Sequence, residues 1–196
     1  GRTMEHVKKA IQWGFTSVMI DASDYPLKEN IRITKEVVAV AHDNNVSVEA
    51  ELGHVPPKAS DDISGFLTHP EEALEFVSET SIDALAVAIG TAHGHYKEVP
   101  VLDIDRLKKI RSIVDIPLVL HGGSGTPIKD VQETIKLGIR KINIGTELHQ
   151  AYLDEVAAQV KARGGVYCPI DIFMHPVYER MKEVAKRKIS QFAFRD

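Results

Sequence analysis

The sequence predicts an α/β fold built on a parallel sheet, and three observations carry that reading. Five short apolar runs alternate with segments of helical periodicity. Two of the runs, Ala84-Leu-Ala-Val-Ala-Ile89 and Pro117-Leu-Val-Leu120, hold no polar residue, as strands covered on both faces do. A polar residue recurs at one end of each run: Asp21, Glu51, His93, His121 and Asn143. In barrels and in open α/β sheets alike, the site lies at the C-terminal strand ends. Five units do not close a (β/α)₈ barrel. The pattern therefore fits either a small open sheet or the later part of a barrel.

Taken in order, Met4, Val7, Ala10 and Ile11 repeat at helical spacing, and Gly14 marks a stop. Residues 15–20 read as a buried strand ending at Asp21. Ile31, Thr34, Val37, Val38 and Ala41 share one face of a long helix. In the next strand, residues 46–52, alternation puts Val46, Val48 and Ala50 on one side and Glu49 and Glu51 on the other. Residues 53–67 are loop-like. Thr68-His-Pro-Glu71 looks like a helix start, with Thr68 as N-cap and Leu74 and Val77 supplying the apolar face. Residues 84–89 and 117–120 are the two apolar strands, separated by a helix marked by Ile104, Leu107, Ile110 and Ile113. Thr126-Pro127 opens a helix ending near Leu137-Gly138, and Lys141-Ile-Asn-Ile144 is the last strand. A helix follows Gly145-Thr-Glu to about Ala162 and turns at Gly164-Gly165. Residues 167–175 read as irregular, and Pro176 onward as a final helix with Val177, Met181 and Val184 on one face.

Composition narrows the function classes. The 196 residues suffice for one domain with a sizeable core. A net charge of −4 argues against a general nucleic-acid or membrane-surface binder, which needs a basic face. No apolar run approaches the roughly 20 residues of a membrane span. Cys168 is the only cysteine, so an intrachain disulfide is impossible, in keeping with a reducing, cytoplasmic setting. The first twelve residues carry Arg2, Glu5, His6, Lys8 and Lys9 and are not patterned as a signal peptide.

The stretches Ala88-Ile-Gly-Thr-Ala-His-Gly-His-Tyr-Lys97 and Leu118-Val-Leu-His-Gly-Gly-Ser-Gly-Thr-Pro127 are alike. Each is an apolar run that ends in a histidine followed by glycine. With His93 and His121 at equivalent points just past two strands, they read as two ligands of one divalent metal, a role neutral imidazole suits. The adjoining glycine loops offer the backbone N–H donors that a phosphate needs. His95 reads as a loop residue.

Five stretches in this order resemble the class II fructose/tagatose-bisphosphate aldolases: Ser17-Val-Met-Ile-Asp21, Val48-Glu-Ala-Glu-Leu-Gly53, Leu85-Ala-Val-Ala-Ile-Gly-Thr-Ala-His-Gly94, Leu118-Val-Leu-His-Gly-Gly-Ser-Gly125 and Lys141-Ile-Asn-Ile-Gly-Thr-Glu147. The resemblance runs from Gly1 to about Leu148. It implies a (β/α)₈ TIM barrel, incomplete here at about five of eight strand–helix units with the first three strands missing. Residues 1–196 would form a single partial barrel domain, with 164–196 a C-terminal helical arm. It implies reversible, zinc-dependent cleavage of a ketose 1-phosphate or 1,6-bisphosphate to dihydroxyacetone phosphate and an aldehyde. His93 and His121 then bind Zn²⁺. The third histidine and the acid/base aspartate belong to a His-Leu-Asp-His-Gly type stretch expected just upstream of Gly1, so no catalytic residue is assigned within the chain. His6 is no replacement, since it falls inside a helix. Gly94, Lys97, Gly122, Ser124, Asn143 and Thr146 match substrate or phosphate contacts, with Asn143 at a substrate hydroxyl or enediolate. Asp21 and Glu51 match acidic positions that orient the ligands or act as alternate metal contacts. Backbone carbonyls near Gly94 and Gly122 hold a monovalent cation in the family. A homodimer or homotetramer is implied, with no nucleic-acid or membrane partner.

The chain also departs from its resemblance. Asp24 stands where relatives commonly have histidine. Residues 54–62, His-Val-Pro-Pro-Lys-Ala-Ser-Asp-Asp, replace a Gly-Gly-Glu-Glu-Asp run that carries a proton-transfer glutamate, and neither Asp61 nor Asp62 is assigned that task. The Cys168-Pro-Ile-Asp171 region differs as well. A competing reading is a non-catalytic phosphate-binding or partner subunit derived from this fold. A metal-free phosphate-binding isomerase is disfavoured by the paired His-Gly sites. An isolated five-strand piece would leave sheet edges open and call for a partner.

Overall fold

The structure, a computed structural model, describes residues 1–56, 64–96 and 98–195. Its elements run α1 (Met4–Gln12), β1 (Ser17–Ile20), α2 (Leu27–His42), β2 (Ser47–Leu52), α3 (Pro70–Thr80), β3 (Ala84–Val87), α4 (Ile104–Ile113), β4 (Leu118–Leu120), α5 (Ile128–Lys136), β5 (Ile139–Ile142), α6 (Thr146–Arg163) and α7 (Ile170–Phe192). All five strands are parallel and ordered β1-β2-β3-β4-β5. Among the described residues no strand is inserted out of turn, and these five strands show no switch point of a doubly wound sheet. Sequential parallel order with a helix between neighbours is the order of a (β/α) barrel. No described helix is long and apolar enough to cross a membrane.

Strand alternation divides the sheet into two faces. Val18, Ile20, Val48, Ala50, Leu85, Val87, Leu118 and Leu120 pack with Val37, Val38, Phe76, Leu107 and Ile110 of the helices. The alternate residues of β2, Glu49 and Glu51, point the other way and are also buried. The α2 stripe is as its periodicity predicts: Ile31, Thr34, Val37, Val38 and Ala41 are all buried.

Besides β5, which spans Ile139–Ile142 where residues 141–144 are expected, four local expectations change. Leu74 is exposed, and the buried stripe of α3 is Ala73, Phe76 and Thr80, because a helix beginning at Pro70 turns Leu74 off that face. Thr68 does not cap α3. His69 is the N-cap residue and makes no side-chain cap bond. Instead Thr68 is buried between two strands, its hydroxyl donating to the Leu52 carbonyl and accepting the Ala88 N–H at 2.8 Å. Its own N–H donates to the Ala88 carbonyl at 2.9 Å. The β2–β3 ladder ends at Leu52 and Val87, so Thr68 takes up bonds the diverging chains would otherwise leave unmade. Residues 64–66, expected as loop, form a short 3₁₀ turn. Finally, α7 starts at Ile170 and runs through Pro176. The proline forgoes one i→i−4 bond. Packing of α7 along α6, with Val177 and Val184 buried, outweighs that loss.

The helix pair is pinned to the β4 loop by Glu147. Its carboxylate accepts the Gly125 N–H at 3.0 Å and lies 2.6 Å from Lys188 and 3.7 Å from Arg187 of α7. Burial acts to raise the Glu147 pKa, but hydrogen bonds from Lys188 and Gly125 outweigh it and hold the group below its ordinary 4.5.

Two outcomes follow for the whole protein. Thr68→Val keeps the shape but strands the Leu52 carbonyl and the Ala88 N–H, and should cost about 1–3 kcal/mol in denaturant unfolding. Because the folded Glu147 pKa is lowered, its stabilisation is present above the ordinary value of 4.5 and is lost as pH falls through the lower folded value. Thermal melts across that acid range should therefore show a decline that Glu147→Gln flattens.

Candidate active site

His121 follows β4 directly and sits over the inner face of β2. There Glu49 and Glu51, two residues apart on one face and so roughly 6.7 Å apart along the strand, close on both edges of its ring. Nε2 lies 2.9 Å from Glu49 Oε1, and Nδ1 lies 3.0 Å from Glu51 Oε2. All three side chains are about 5% exposed. Burial disfavours charge on His121, but the hydrogen bonds to the two glutamates outweigh it and push its pKa up to about 9. In this arrangement both ring nitrogens donate. Glu49 is held below the usual carboxylate range: burial works against that, and the hydrogen bonds from His121 and Lys141 prevail.

His93 arrives by a different route from the one expected. The strand β3 ends at Val87, so His93 is not just past it; five residues of loop intervene. That loop is fixed at two points. The His93 N–H donates to the Pro56 carbonyl at 2.9 Å. Ala92 packs on Gly122, which adopts φ +67°, and a Cβ there would come within 2.5 Å of the Ala92 carbonyl oxygen. Only glycine lets the two loops meet so closely. The result is a His93 ring 6.2 Å from the His121 ring, centroid to centroid, tilted by 50°. Partial loss of solvent, then the neighbouring His121, lower the His93 pKa. A neutral imidazole is the form that binds metal.

The pair fits a shared zinc in kind. Zn–N bonds of about 2.0–2.1 Å put two ring centroids on one tetrahedral ion roughly 5 Å apart, a small movement from the arrangement here. To serve, His121 must give up the proton on one nitrogen and the glutamate there must swing aside, while the carboxylate at the other nitrogen fixes its ring. Among the described residues no group of three His, Cys, Asp or Glu is set to hold a metal. The described residues thus offer this pair of imidazoles and no third ligand beside it. The expected monovalent-cation carbonyls fit less well. The Tyr96 hydroxyl lies 2.9 Å from both the Ala92 and the Gly122 carbonyl oxygens and accepts the Ala92 N–H at 2.7 Å. A cation there would have to displace that hydroxyl.

Five expected residues share one cavity of about 450 Å³: His93, Gly122, Ser124, Asn143 and Thr146. Thr146 opens α6, whose N-cap, Gly145, offers no side chain, so the positive end of a helix dipole borders the cavity. Gly94 lies next door, in a cavity of about 440 Å³ that shares Ser124 and Thr146. Lys97, Asp61 and Asp62 lie outside the described residues. Asp21 follows β1; Ser23 Oγ donates to it at 2.7 Å and Arg2 lies at 3.6 Å. Burial would raise the Asp21 pKa, but the two hydrogen bonds from Ser23 and the nearby Arg2 keep it low.

Several contributors carried no usable sequence signal. Glu49 was legible only as a residue on the inner face of a strand. The link from Lys141 to Glu49 spans 92 positions. The Tyr96 hydroxyl reaches Gly122, 26 residues on. Such long-range pairings leave no local pattern.

The model of a family described as fructose-bisphosphate aldolase class-II matches residues 1–196. A fructose-bisphosphate aldolase of Staphylococcus epidermidis is 44% identical over 194 residues, covering 98% of this chain and 68% of that protein. The solved YdjI aldolase from Escherichia coli K12 is 42% identical, with a TM-score of 0.83 over 98% of this chain and 66% of that one. A fructose-bisphosphate aldolase from Campylobacter jejuni is 22% identical, with a TM-score of 0.71 over 95% of this chain and 63% of that one, a likeness of fold alone. The chain spans about two thirds of the length of these relatives. With a family match along its whole length and a relative at 44% identity, this chain belongs to the class II fructose-bisphosphate aldolase family.

Proposed function

We propose that the whole protein is a zinc-dependent ketose-phosphate aldolase. It would reversibly cleave a ketose 1-phosphate or 1,6-bisphosphate to dihydroxyacetone phosphate and an aldehyde. The observation that carries this is the single cavity in which His93, a glycine loop, a helix N-terminus and Asn143 meet.

Each residue has a part set by its chemistry. His93 and His121 would hold the metal, and the glutamate on the His121 nitrogen that does not bind it would orient the ring. A bound zinc supplies Lewis-acid stabilisation of the enediolate charge. The phosphate would lie against Gly122, Ser124 and Thr146, where backbone donors and the α6 dipole favour an anion. Gly94 and Lys97 would complete its surround. Asn143 would donate to a substrate oxygen, and Asp21 would orient groups at the rim. The acid/base step is assigned to no residue here.

Treating the protein with a strong chelator should abolish cleavage of ketose phosphates, and zinc should restore it. His93→Ala and His121→Ala should each strip zinc, read by elemental analysis. Cleavage without any divalent metal would overturn the proposal, and normal zinc content in either variant would overturn the ligand assignment. Phosphate binding with no cleavage of any ketose phosphate would favour the non-catalytic reading instead.

A further inference from the structure

The strand β5 is irregular in one place. Leu118 pairs with Ile139, but Val119 pairs with Lys141 and Leu120 with Ile142, so Arg140 is an extra residue. Such a bulge shifts every later side chain to the opposite face. Leu118 and Leu120 belong to the core on the helix side. Val119 therefore faces inward, and the bulge puts Lys141 on that same inner face. There its ammonium lies 2.8 Å from Glu49 Oε2 and 2.9 Å from Asn143 Oδ1.

Lysine is a donor only. Whatever it meets on Asn143 must be the carbonyl oxygen. That contact decides the orientation of an amide that could otherwise flip. It leaves the NH₂ as the group Asn143 can offer to the cavity it lines. A reversed amide would present an oxygen to the substrate, and an oxygen repels an anionic partner. The ammonium is itself anchored, because Glu49 is buried and its other oxygen is taken by His121. Asn143, Lys141, Glu49 and His121 thus form one connected chain across β5, β2 and β4.

We propose that Lys141 is a positioning residue, which holds the Asn143 side chain with its NH₂ toward the substrate oxygen that becomes negative in the aldol step. This rests on the aldolase reading above. Lys141 acts through Asn143 and needs no contact with substrate.

The test is a double-mutant cycle in the full-length protein loaded with zinc, assayed on a ketose phosphate. Removing one such donor costs about 100-fold or more in kcat, and Asn143→Ala should do so. Lys141→Met should lower kcat by about 10- to 100-fold, with KM for the ketose phosphate nearly unchanged. Zinc content and melting temperature should stay close to those of the parent. The double variant should be no slower than Asn143→Ala alone, because Lys141 has no separate route to the substrate. Full additivity, or a loss traced to zinc or to melting, would assign Lys141 a merely structural part and overturn the proposal. A parent that cleaves no ketose phosphate would instead overturn the aldolase reading, and this one with it.

Discussion

The grip of Glu49 and Glu51 on His121 is the contact on which the rest of the site depends. A buried imidazole with one carboxylate can rotate; with a carboxylate at each nitrogen it cannot. Two glutamates one strand repeat apart can do this only because β2 alternates, so the grip is a product of pleat geometry. Buried charges of this kind seldom add stability over a packed apolar cluster. Their value is directional. Lys141 brings a second positive charge beside His121, and the four groups together are close to neutral. A compact neutral set is a tolerable thing to keep under a sheet.

Much of this was legible before any coordinates. Five strands, their parallel pairing and the polar residues at the ends of all but β3 follow from runs, breaks and periodicity. The likeness of the two His-Gly stretches marked His93 and His121. Elements failed to be legible where a tertiary contact overrode a local rule. Thr68, His69, Pro70 and Glu71 satisfy the pattern of a helix cap, yet the Thr68 hydroxyl is worth more between two open strand ends. Pro176 reads as a helix start, but packing along α6 begins the helix two turns earlier. His93 reads as the end of a strand, but its place is set by the contact of Ala92 with Gly122. The bulge at Arg140 is invisible to hydrophobic patterning, because Ile139 and Ile142 serve either register.

The side of the site proposed to hold phosphate is tied to the last helix. Glu147 begins one helix, bonds to the loop after β4 and meets two cations of α7. The C-terminal arm is therefore mechanically part of the glycine loop. That gives a physical reason for α7 to pack where it does, beyond covering α6.

The pairing of Thr68 with Gly53 has a consequence for how the sequence can drift. Gly53 has φ +75°, and a Cβ there would lie 2.6 Å from the Thr68 hydroxyl. Any side chain at position 53 evicts the hydroxyl that terminates the β2–β3 ladder. A larger residue at position 68 presses on the same spot from the other side. A Cβ at position 53 would also lie 2.8 Å from the Phe66 carbonyl oxygen and 2.9 Å from the Thr68 backbone nitrogen, so a change of side chain at 68 does not make room at 53. Position 53 should therefore stay glycine across a lineage whatever stands at 68, and the mouth of the sheet keeps its width there.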